Sequence, residues 1–141
     1  MPPVETKHLL LVEDEPLIAL AEQKHLEQFG YSVTTVMTGE TAIETINGNG
    51  SFDLILMDIN LGRGIDGTEA AEAILKDHDI PIVFLSSHTD PDVVRKTEKI
   101  TSYGYVVKSS SMTVLDASIK MAFKLFTARM EAQQRDEALR L

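Results

Sequence analysis

Several polar side chains in this sequence stand directly after short apolar runs, where they are suited to metal and phosphoryl chemistry. Glu13 and Asp14 follow Leu9-Leu10-Leu11-Val12, and Asp58 follows Leu54-Ile55-Leu56-Met57. Ser86 follows Ile82-Val83-Phe84-Leu85, and Lys108 follows Val106-Val107. Acids brought close together repel one another unless a cation sits among them. No cysteine accompanies them, and His8, His25, His78 and His88 show no ligand spacing. The ligands are therefore all hard oxygen, a set suited to Mg²⁺ with several retained waters. A divalent ion in such a site also receives a phosphoryl donor and neutralises its charge. Asp58 is then the candidate nucleophile, forming an acyl phosphate. Ser86 is the candidate hydrogen-bond donor to a phosphoryl oxygen. Lys108, a compact and mobile charge, is suited to pair with Asp58 before transfer and with the phosphoryl group after it.

These residues share a site only if their apolar runs are neighbouring strands. A short apolar run bounded by turn residues reads as a strand buried on both faces. His8 to Val12, Tyr31 to Val36, Leu54 to Met57, Ile80 to Leu85 and Tyr103 to Val107 all fit that reading. Helical patterns lie between them. Pro16 opens the first, at a position where its missing N–H costs nothing, and Ile18, Ala21, Leu26 and Phe29 are expected on its inward face. Further helices are expected over Gly39 to Ile46, Gly67 to Lys76, Pro91 to Lys99 and from about Met112 onward. Strict strand–helix alternation demands a parallel sheet covered on both faces. Ligands of such sheets bind at the carboxyl ends of the strands.

At 141 residues the chain is expected to form one domain, with or without a tail. An apolar share of 43% supports a packed core. A net charge of −9 and a pI near 4.8 argue against a nucleic-acid surface and against a polybasic membrane contact. The N-terminal residues have no signal-peptide core, and no apolar run reaches the length of a membrane span. A cytoplasmic protein is expected.

Taken singly, each site residue has a plain structural reading. Asp14 alone could cap the first helix, Ser86 alone form a turn, and Lys108 alone be a solvated charge. Met57 and Met121 read as core filler. The serines at 109–111 read as a loop and a helix cap. A flavin- or nucleotide-binding relative needs a phosphate loop after the first strand, where Glu13-Asp14-Glu15 would repel a phosphate. An aspartate-dependent phosphatase would carry its nucleophile in an Asp-x-Asp pair after that strand.

The ordered set Glu13-Asp14, Asp58, Ser86, Tyr105 and Lys108 resembles the receiver domain of two-component response regulators, over about residues 7 to 126. The resemblance implies a flavodoxin-like, doubly wound, five-stranded parallel sheet of order 2-1-3-4-5. It implies phosphotransfer to Asp58 from a histidine kinase or phosphotransfer protein. It implies Mg²⁺ held by Asp14, Asp58 and the backbone carbonyl of Asn60, with Glu13 reaching the metal through water. Ser86 and Tyr105 resemble the hydroxyl–aromatic pair that reports phosphorylation on the face of helix 4, strand 5 and helix 5. Homodimerisation through that face is a further implication. The alternative is a receiver-like interaction module not regulated by phosphorylation; it has no need of all these groups together.

Two positions depart from the family pattern. Ser109 follows Lys108 where the family has a proline in a cis peptide, so the loop carries strain or takes another path. The loop after Asp58 carries Gly62 and Gly64 where a proline is common. Residues 1–126 are expected to be the receiver and 127–141 a helical extension of the last helix. Leu115, Ile119, Ala122, Phe126 and Met130 keep one stripe. Beyond it the chain stays rich in helix formers, as a connector to an output domain or a dimer partner would.

Overall fold

The computed structural model describes residues 5–48, 50–87, 91–101 and 103–140. Five strands alternate with five helices among them: β1 (His8–Val12), α1 (Pro16–Gln28), β2 (Ser32–Val36), α2 (Gly39–Asn47), β3 (Leu54–Asp58), α3 (Gly67–Asp77), β4 (Ile82–Ser86), α4 (Pro91–Ile100), β5 (Tyr105–Val107) and α5 (Met112–Leu139). The strands form one parallel sheet in the order β2-β1-β3-β4-β5.

Alternate residues of a strand point to opposite faces, and here both faces are covered. Leu10, Val12, Ile55, Met57, Ile82 and Phe84 pack against α2 and α3 through Ala42, Ile46, Ala70, Ala71 and Ile74. Leu9, Leu11, Leu54, Leu56, Val83 and Leu85 pack on the other side against Leu26 of α1 and Leu115, Ile119 and Ala122 of α5. This two-sided burial is why the strands are apolar without alternation. Each fully buried leucine contributes about 1.5–3 kcal/mol.

Register places the strand ends. Val12 pairs with Met57, so Glu13 leaves the sheet beside Asp58. Asp58 pairs with Leu85, and Ser86 lies one step beyond and pairs with Val107, next to Lys108. Gly67 starts α3 where a Cβ would lie 2.0 Å from the backbone oxygen of Asp58, so only glycine lets the helix begin this close to the strand. Asp66 and Glu69 close a capping box there.

The inward face of α1 differs from the expectation. Ala19 and Leu26 are buried, while Ile18, Ala21 and Phe29 are exposed. The helix lays the line of Ala19, Glu22, Gln23 and Leu26 on the sheet, and the Gln23 amide reaches the Val33 carbonyl at 3.5 Å. Met57 is buried as expected, but Met121 is 55% exposed, because the sheet is already covered by Leu115, Ile119 and Ala122 of the same helix. The loop after Lys108 takes the trans path: there is no cis peptide among the described residues. Ser111 caps α5, its Oγ accepting from the Val114 N–H at 3.2 Å. His8 packs on the Phe52 ring and bonds Thr34, and His78 bonds Asn47; His88 lies outside the described residues. No helix among the described residues is long and apolar enough to cross a membrane.

Candidate functional site

The carboxyl ends of β1 and β3 bring three acids together. One carboxylate oxygen from each of Glu13, Asp14 and Asp58 lies within 4.8 Å of the others. Glu13 and Asp58 are each 1% exposed, and Asp14 is half-buried. Asp14 does not cap α1: the cap position is Glu15, with no side-chain bond. Its carboxylate instead faces the loop after β3, where a Cβ on Gly62 would stand 2.9 Å from Oδ2. Gly62 has φ +73°, a conformation L-residues rarely adopt. Gly62 thus keeps this side of the acid cluster open, while Gly64, also at positive φ, stands against the Glu40 carboxylate instead.

Lys108 enters from the end of β5. Its Nζ donates to Asp58 Oδ2 at 2.8 Å and to Glu13 Oε1 and Oε2 at 2.9 and 3.1 Å. Its backbone N–H donates to the Ser86 carbonyl at 2.7 Å, which holds β5 against β4 at this edge. The other Asp58 oxygen, Oδ1, accepts from the Asn60 N–H at 3.1 Å. Ser86 is buried, and Tyr105 is half-buried at the start of β5 against the α2–α3 side of the core.

Charge is unevenly shared. Burial, then the neighbouring Asp58, push the Glu13 carboxyl up to about 8, against the opposing pull of Lys108. Burial alone would lower the Lys108 ammonium, but the Asp58 and Glu13 carboxylates outweigh it and hold it above its ordinary value. A lone ammonium therefore does not neutralise the cluster. A hard cation bound by Glu13, Asp14 and Asp58 would do so, and the all-oxygen donor set fits Mg²⁺.

Glu22 is a further acid near the site that periodicity does not reveal. It faces inward from α1, with Oε2 buried and lacking a hydrogen-bond partner among the described residues. Burial raises its carboxyl; the Lys108 charge lowers it and the Asp58 charge raises it, so it lies within electrostatic reach of the site. The signal was its spacing from Ala19 and Leu26, which the louder pattern of Ile18, Ala21 and Phe29 concealed.

Residues 9–120 match the response regulator receiver domain. The chain belongs to that family. Among relatives of this receiver, the probable transcriptional regulator ycf27 of Cyanidium caldarium is 35% identical over 123 residues, 86% of this chain and 48% of that protein. A solved N-terminal domain of a response regulator/sensory box/GGDEF three-domain protein from Carboxydothermus hydrogenoformans is 44% identical, with TM-score 0.82, covering 88% of this chain and 99% of that one. The response regulator TrrA from Thermotoga maritima, solved in complex with Mg²⁺–BeF, is 30% identical with TM-score 0.74, covering 83% and 99%. The receiver spans about half the length of the curated transcriptional regulators it matches. The sheet order and the five-helix arrangement are those of the family's fold.

Proposed function

We propose that this receiver is a phosphoacceptor switch, taking a phosphoryl group on Asp58 from a phosphohistidine of a histidine kinase or phosphotransfer protein. The observation that carries the reading is the buried Asp58 carboxylate, ion-paired to Lys108 and flanked by Glu13 and Asp14, which follow the end of the neighbouring β1. An Asp58 oxygen attacks phosphorus as the P–N bond to the donor imidazole breaks, leaving an acyl phosphate and a neutral imidazole. Asp14, Asp58 and the Asn60 carbonyl would hold Mg²⁺, with Glu13 reaching it through water, and the bound ion would supply neutralisation of the phosphoryl oxygens. Lys108 pairs with Asp58 before transfer and moves to the phosphoryl group afterwards. Ser86 donates to a second phosphoryl oxygen. Tyr105 follows that movement, changing the α4–β5–α5 side on which a partner or a second copy docks. Water attack on the acyl phosphate returns Asp58 to its starting state.

In this reading residues 1–126 are the switch and 127–141 the connector to an output domain, and the protein acts in the cytoplasm. The TrrA complex with Mg²⁺–BeF and the multi-domain relatives support it. Acetyl phosphate with Mg²⁺ should add one hydroxylamine-labile phosphoryl group, seen by intact mass. An Asp58→Ala protein that accepts the group equally well would overturn the assignment.

A further inference from the structure

α5 carries a second stripe that the sheet does not use. Val114, Met121 and Leu125 stand on its outer face and are 49%, 55% and 46% exposed. With Ser118 they are spaced by fours and threes, and the same spacing continues along the extension through Ala128, Ala132, Arg135 and Leu139. That is the heptad spacing of a coiled-coil seam. It begins on the folded body and runs to the end of the helix, where Leu139 is 84% exposed. Beside it, Arg129 donates to the Tyr103 hydroxyl at 2.9 Å, so the seam lies on the β5 side of α5.

We propose that α5 pairs with α5 of a second copy in antiparallel fashion, crossing between Phe126 and Thr127, so that each extension covers the outer stripe of the other copy's receiver. Large side chains then meet small ones: Leu125 opposes the partner's Ala128, and Met121 opposes the partner's Ala132. Val114 meets the partner's Leu139. Arg135, the one charge in the seam, lies against the partner's Ser118 and at the rim.

Charge selects both the direction and the register. Lys124 and Glu131 flank the seam on one side, both exposed and neither in an ion pair among the described residues. In the proposed register Lys124 faces the partner's Glu131, twice by symmetry. Shifting by one heptad sets Glu131 against the partner's Glu131 in one direction and Lys124 against the partner's Lys124 in the other. A parallel pair stacks Arg135 on the partner's Arg135 and sets Lys124 near the partner's Arg129 and Glu131 near the partner's Asp136. Flanking charges of this kind set orientation and partner choice in coiled coils. The inference deepens the reading of 127–141 as a connector and of the α4–β5–α5 side as a docking side, and names the occupant.

The sequence has no cysteine, so disulfide trapping in the full chain reads the geometry directly. Size-tagged Met121→Cys mixed with untagged Ala132→Cys should give mainly the mixed disulfide under mild oxidation. Either variant alone should cross-link poorly, because identical positions then lie roughly 16 Å apart along the helices. Lys124→Glu should weaken dimerisation at least about tenfold by sedimentation, and adding Glu131→Lys should restore it. Ready homodisulfides from Ala132→Cys would overturn the antiparallel direction, and a monomer at high micromolar concentration with no cross-link would overturn the pairing. Acetyl phosphate labelling of the same variants keeps the two readings apart: labelling without pairing defeats only this inference, and pairing without labelling defeats only the phosphoacceptor reading.

Discussion

Lys108 Nζ lies 2.8 Å from Asp58 Oδ2, so the buried candidate nucleophile is held as an ion pair by a residue 50 positions further along the chain. The same ammonium holds Glu13, and it therefore competes with any cation that enters the cluster. Lys108→Ala should lower the rate of Asp58 phosphorylation from acetyl phosphate by about 10²-fold, the typical cost of removing one positioned donor to developing charge. Mg²⁺ affinity should hold or rise, since a competitor has gone. Titration of the variant with Mg²⁺ checks this; a collapse of metal binding would make Lys108 a structural strut instead.

Asp14 carries a separate prediction. A hard cation shared by acids from adjacent strand ends should be held poorly by the remaining pair. Asp14→Ala should weaken Mg²⁺ or Mn²⁺ binding by at least about tenfold, with little change in the melting temperature of the metal-free protein. Unchanged affinity would remove Asp14 from the metal site.

The Glu13 carboxyl gives the metal-free protein a pH dependence. Its value is about 8 in the folded state against 4.5 without the fold, so the folded state holds the extra proton. This contribution to stability is fully present below 4.5 and is lost as pH rises through about 8. In EDTA the melting temperature should fall by about 5 °C or more between pH 6 and 8.5. Glu13→Gln should flatten that slope, and Mg²⁺ should stabilise the native protein more at pH 8.5 than at pH 6. A melting temperature that rises over this interval in EDTA would contradict the placement of the proton.

Tyr31 ties the start of β2 to α5. Its hydroxyl donates to Asp116 Oδ1 at 2.7 Å, and Lys120 Nζ lies 2.8 Å from Asp116 Oδ2. Burial and the carboxylate raise the phenol, so it stays a donor throughout the physiological range. Tyr31→Phe leaves a buried carboxylate oxygen short of a donor and should cost about 1–2 kcal/mol in denaturant unfolding. Phosphorylation of Asp58 should be unaffected, since the bridge lies outside the acid cluster.

How far the sequence reached depends on where the information sits. A parallel strand buried on both faces is an unbroken apolar run, so the polar residue that ends it stands out. That made Glu13, Asp14, Asp58, Ser86 and Lys108 legible, along with the alternating architecture. The strand order came from the family resemblance. The faces of the helices were harder. α1 and α5 each carry apolar residues on two sides, and periodicity alone does not say which stripe meets the sheet. In α5 the stripe of Leu115, Ile119 and Ala122 faces inward as its spacing predicts, while Met121 belongs to the outer one. In α1 the more apolar stripe faces outward, and the polar Glu22 and Gln23 lie on the buried side with Ala19 and Leu26. Only packing against specific neighbours decides such a choice. The sharing of Lys108 between Asp58 and Glu13 was likewise invisible, because it depends on the register of β1, β3, β4 and β5 at once, a property of the assembled sheet and of no single stretch of chain.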